Sequence, residues 1–89
     1  TGPLGRSAIA ACRRSDEAGA RKIAENRMIE YGLSGTAVLG LLRAELRSDM
    51  TPDAALLFSD ADIAVRTGSN EYLQMNAFIS RLCAELTRT

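Results

Sequence analysis

Apolar positions along the 89-residue chain recur at helical rather than alternating spacing, and they divide it into five segments with no convincing strand. Ser7 is placed to cap a short first helix over Ala8–Cys12, which the polar run Arg13-Arg14-Ser15-Asp16 ends. Asp16 or Ser15 then caps a second helix reaching Tyr31, with Ala20, Ile23, Ala24, Met28 and Tyr31 on its apolar side and Gly32 as its stop. Ser34 and Thr36 are candidate caps for a third helix whose Val38, Leu39, Leu42 and Leu46 form one stripe.

Thr51-Pro52-Asp53 marks the next start, because proline at the first helical position gives up an N–H that has no intrahelical partner. The fourth helix runs to Thr67 and carries Ala54, Leu57, Ala61, Ala64 and Val65, with Asp60 and Asp62 turned to solvent. Gly68 suits a left-handed helix stop, Asn70 a cap, and Glu71 the positive end of the fifth helix dipole.

That fifth helix shows two stripes: Tyr72, Met75, Ile79, Leu82 and Leu86 on one, Leu73, Ala77 and Cys83 on the other. Two readings stay open. Either the second face is buried against another chain, or the helix is central and the other four surround it. The expected fold is all-α, a compact five-helix bundle. Residues 1–7 read as a linker or the remnant of an expression tag, since Gly-Pro-Leu-Gly resembles a protease scar and is neither a signal peptide nor a plausible helix. The helical domain is therefore expected over residues 8–89.

Composition narrows the function more by exclusion than by indication. Eleven Lys and Arg balance eleven Asp and Glu, which argues against a dedicated nucleic-acid module. No apolar run is long enough to span a bilayer. There is no His, hence no ready general base, and no phosphate-binding Gly-x-x-x-x-Gly-Lys-Ser/Thr run. Gly32-Leu33-Ser34-Gly35 follows a helix rather than a strand and reads as a helix–helix turn. Asp60 and Asp62 are two apart, so they do not share a helix face, and no dense oxygen-rich loop suggests calcium. Catalytic, cofactor and metal residues are all expected to be absent.

Cys12 and Cys83 lack the paired spacing of a zinc site and read as free, partly buried thiols, which suits a reducing cytoplasm or nucleus. Arg13, Arg14, Arg21, Lys22 and Arg27 form a locally basic stretch, the basis of an alternative reading as a free-standing helical nucleic-acid binder. Interleaved Asp16, Glu17, Glu25 and Glu30 favour an ordinary salt-bridged surface, with Arg21 and Glu25 at i, i+4 spacing.

Two blocks carry a family resemblance. The first is Ala20-Arg21-Lys22-Ile23 through Met28-Ile29-Glu30-Tyr31-Gly32-Leu33-Ser34-Gly35, followed by Val38-Leu39 and Leu42. The second is Asp60-Ala61-Asp62 through Arg66, then Gly68, Asn70-Glu71, Leu73-Gln74-Met75 and Ala77. Together they resemble the C-terminal collar domain of replication factor C small subunits, the clamp loader, over roughly residues 8 to 86. Ala64 stands where that family often has an aromatic, Tyr72 and Asn76 are unusual, and the Arg13–Ala18 segment lacks the aromatic of the matching turn.

The resemblance implies an oligomerisation collar that holds ATPase subunits together. ATP and magnesium belong to the AAA+ modules of the parent protein. The implied partners are other replication factor C subunits and, through the whole complex, the sliding clamp and primer–template DNA, with no membrane. The implied location is archaeal cytoplasm or eukaryotic nucleus. Arg66, Asn70, Glu71 and Gln74, flanking the last two helices, are the expected subunit-interface residues.

Overall fold

Four of the caps expected from local chemistry set the helix starts. The computed structural model describes residues 2–68 and 70–88. It holds α1 (Gly2–Arg13), α2 (Glu17–Tyr31), α3 (Gly35–Glu45), a short 3-10 turn (Arg47–Asp49), α4 (Pro52–Thr67) and α5 (Glu71–Thr87). Asp16 accepts from Gly19 N, Ser34 from Ala37 N, Thr51 from Ala54 N, and Asn70 from both Tyr72 N and Leu73 N. Each satisfies N–H groups that have no partner inside the helix. The described residues contain no strand, as the apolar spacing predicts.

The helices close around one core. α1 packs on α2, α3 and α5, α4 packs on α3 and α5, and α2 also packs on α5. Val38, Leu39, Leu42 and Leu46 are all buried, so the expected α3 stripe faces inward along its whole length. In α4 the inner face is set by Ala54, Phe58 and Ala61, and the Phe58 ring sits 4.9 Å from that of Phe78 on α5. Phe58, absent from the expected stripe, is its largest member, while Leu57 is only half-buried. At the open end of the α4–α5 pair, Arg88 donates to Asp53 at 2.8 Å and pairs with Glu85 at 3.2 Å. The hydrogen bond to Asp53, and then the Glu85 charge, hold its guanidinium above the usual arginine value.

Four expectations need correction. Residues 1–7 were expected outside the helical fold, but α1 begins at Gly2 and buries Leu4 and Gly5. Pro3 is tolerated there because the first turn needs no N–H bond. A Cβ on Gly5 would meet the Leu41 carbonyl oxygen at 2.8 Å, so the glycine permits close α1–α3 contact.

Gly68 is not left-handed; its φ of −77° and ψ of 159° are extended. A Cβ there would lie 2.6 Å from the Ala64 carbonyl oxygen, so closeness rather than a positive φ calls for glycine. The left-handed stop is Gly32, at φ 65°.

Cys12 and Cys83 are not free thiols. They form a disulfide that ties α1 to α5 across 71 residues, with Cα atoms 4.5 Å apart and both side chains buried. Their inference of a reducing compartment falls with the free-thiol reading. Lastly, Arg21 pairs with Glu17 rather than Glu25 and also donates to Ser80 on α5.

The two stripes of α5 are resolved mostly in favour of a central helix. Met75, Phe78, Ile79, Leu82 and Cys83 are buried against the other four helices. Tyr72 and Leu73, expected on those stripes, are instead 41% and 63% exposed: Leu73 lies on the side of α5 opposite its buried residues, and Tyr72 stands at the edge of the buried stripe in the first turn.

Candidate functional site: the end where two turns meet

The α2–α3 turn and the α4–α5 turn come together at one end of the bundle. The link is a single charge-assisted hydrogen bond, in which Gly35 N donates to Glu71 Oε2 at 2.8 Å. Gly35 is the first residue of α3, so Glu71 supplies an anionic acceptor where the helix dipole is positive. The fit is close: a Cβ on Gly35 would lie 3.1 Å from both Glu71 Oε2 and Val65 Cγ1. The two sequence blocks, 36 residues apart at this contact, thus form one structural unit.

The residues expected at the interface have local work in this unit. Arg66 is exposed; its Nε donates to the Asp62 carbonyl at 3.3 Å and its Nη2 pairs with the Asp62 carboxylate at 3.1 Å. Asn70 caps α5 through Oδ1, at 3.0 Å from Tyr72 N and 3.2 Å from Leu73 N. Glu71 is half-buried on Gly35. Gln74 is also half-buried and closes over Gly68, its Nε2 3.0 Å from where a Cβ would stand. The structure brings the four into one neighbourhood. Arg66 and Asn70 remain solvent-facing, whereas Glu71 and Gln74 brace the turns.

Four exposed apolar side chains stand on the helix ends that lead into or out of these turns: Tyr31 at the end of α2, Ile63 near the end of α4, and Tyr72 and Leu73 at the start of α5. Apolar side chains grouped on one end of a small domain mark a surface suited to protein contact. Sequence periodicity carried part of this signal, since Ile63 falls outside the α4 core stripe. The exposure of Leu73 follows from which side of α5 faces the core, which a helix with two apolar stripes leaves open.

Elsewhere several basic side chains are held by acids. Arg13 pairs with Asp49, Arg14 with Asp16 and Arg21 with Glu17, while Arg27 lies over the Tyr31 ring at 5.7 Å. Arg13, Arg14 and Arg21 of the Arg13–Arg27 stretch are thus held in ion pairs, which leaves the nucleic-acid reading without support. Among the described residues, no three His, Cys, Asp or Glu side chains assemble as a metal site, and no polar side chain is buried. No described helix is long and apolar enough to cross a membrane.

No curated protein and no solved structure matches the chain. The sequence model of one family does, from residue 5 to residue 81, a span that takes in both turns, α2, α3 and α4 entire and most of α1 and α5. It begins inside α1, in accord with the burial of Leu4 and Gly5. The chain belongs to the replication factor C C-terminal domain family.

Proposed function

We propose that this chain is the C-terminal oligomerisation collar of a replication factor C small subunit. The observation that carries the reading is the family match over residues 5–81. In this role the domain performs no chemistry of its own. It binds the collars of other clamp-loader subunits and so keeps their ATPase modules in register. ATP and magnesium are bound by the AAA+ modules of the parent protein. The sliding clamp and primer–template DNA are partners of the assembled complex, in archaeal cytoplasm or the eukaryotic nucleus. The exposed group Tyr31, Ile63, Tyr72 and Leu73, with Arg66 and Asn70 beside it, supports subunit contact: apolar centre, polar rim. Glu71 and Gln74 contribute by holding the turns that present this group.

The test is co-purification of the tagged chain with the remaining clamp-loader subunits from its own source. The expected result is a stoichiometric complex that Leu73→Glu weakens. Absence of any complex, with the chain folded by circular dichroism, overturns the reading.

A further inference from the structure

The bond between Cys12 and Cys83 has no part in the collar reading. These are the only two cysteines of the sequence, so after reduction they can re-form this pair and no other within it. Both are buried; Cys12 lies in the last turn of α1 and Cys83 inside α5. What the bond controls is therefore how α1 is held to α5.

Otherwise the two helices are anchored unequally. α5 buries Met75, Phe78, Ile79 and Leu82, and polar contacts tie its end of the chain to three neighbours. Glu71 accepts from Gly35 of α3, Ser80 donates to Glu17 of α2 at 3.0 Å, and Arg88 donates to Asp53 of α4. α1 also touches three helices, but its described buried residues include only two large aliphatic side chains, Leu4 and Ile9, beside Gly5, Ala8, Ala11 and Cys12. Among the described residues, its one side-chain polar link to another element is the Arg13–Asp49 ion pair, which is solvent-exposed on both sides and so contributes little. Gly2, Pro3 and Gly5 lower its helix propensity further. The turn from α1 into α2, residues 14–16, holds Ser15 in the left-handed region at φ 62°, a conformation that costs a residue with a Cβ. That turn gains by opening.

We propose that the Cys12–Cys83 bond is a redox latch on α1. A dithiol reductant opens it, and α1 then leaves the bundle about residues 14–16 while α2 to α5 stay folded. In the first step a thiolate of the reductant bonds to one sulfur, and the other cysteine leaves as a thiolate that takes up a proton. The reductant's second thiol then displaces the first cysteine, so two electrons and two protons pass to the protein and the reductant becomes a disulfide. Exchange with an oxidised dithiol in the reverse direction closes the latch. The open form presents apolar side chains of α2, α3 and α5 that the closed form covers. The latch stands whether or not the collar reading does.

Amide hydrogen exchange read by mass spectrometry tests it on the oxidised chain, on the same chain reduced with dithiothreitol, and on Cys12→Ala/Cys83→Ala. Reduction is expected to speed exchange over residues 4–13 at least about tenfold, while α3, α4 and α5 remain protected. Trypsin should then cut the reduced chain first after Arg6, in the middle of α1. The double alanine variant should match the reduced chain and ignore dithiothreitol, and oxidised dithiothreitol should restore protection to the unchanged chain alone. Undiminished protection of α1 after reduction overturns the proposal. So does loosening spread evenly over the five helices, a reduced chain unfolded throughout, or failure of the two thiols to re-form the bond.

Discussion

The two ends of α5 are fastened by different means. Near its start, Glu71 reaches across to Gly35 with one charge-assisted hydrogen bond, and Asn70 caps the helix beside it. Near its finish, Cys83 is covalently joined to Cys12 in a buried setting. The first fastening depends on side-chain geometry and tolerates solvent. The second acts mainly on the unfolded chain, by closing a loop of 71 residues. The contrast suggests that global stability resides at the cysteine end, and surface shape at the turn end.

The strongest way to break the contrast is to remove the covalent link. Loop closure of this length corresponds to about 4 kcal/mol, so reduction, or Cys83→Ala, should lower the melting temperature by roughly 15–30 °C in a calorimeter. A drop of only a few degrees would mean that the turn end shares the task. Next in size is Gly35→Ala, which forces a methyl group against Val65 and Glu71 and should cost about 2 kcal/mol in urea titration.

Glu71→Ala is expected to cost about 1.5 kcal/mol, with Glu71→Gln recovering part because its amide oxygen still accepts from Gly35 N. Since Gly35 and Glu71 touch, combining both alanine changes should give less than the sum of the two losses, a coupling readable in a double-mutant cycle. Asn70→Ala removes one acceptor from two N–H groups and should cost about 1 kcal/mol, seen as fraying of α5 by amide exchange. Smallest of all is Leu73→Glu: stability should stay within about 0.5 kcal/mol while capture by partner subunits weakens. That separation of effects would establish the turn end as a surface rather than a support.

The same contrast explains what was legible from residues alone. Thr51 and Asn70 announced their caps, and Asp16 and Ser34 were each one of two candidates, because capping is settled within three residues. The α3 stripe was equally plain. The pairing of Cys12 with Cys83 depends on how α1 and α5 lie together, which no local pattern encodes. For Gly68 the residue type was informative but its reason was not, since a crowded carbonyl and a positive φ both call for glycine. α1 began earlier than expected because Gly2–Arg6 is a poor helix by propensity, and Leu4 is held in place by tertiary burial. At the candidate site, the two halves of the family pattern were visible, but not that Glu71 and Gly35 join them.

The Cys12–Cys83 bond also has a mechanical meaning. Tension applied at the two ends of the chain passes from α1 to α5 through the sulfur atoms, leaving residues 13–82 off the direct load path. In the oxidised protein, a pull on the ends can lengthen the tether only by what lies outside the two cysteines. α2, α3 and α4 ride in a shielded loop, and the domain behaves under force as a short, stiff coupling.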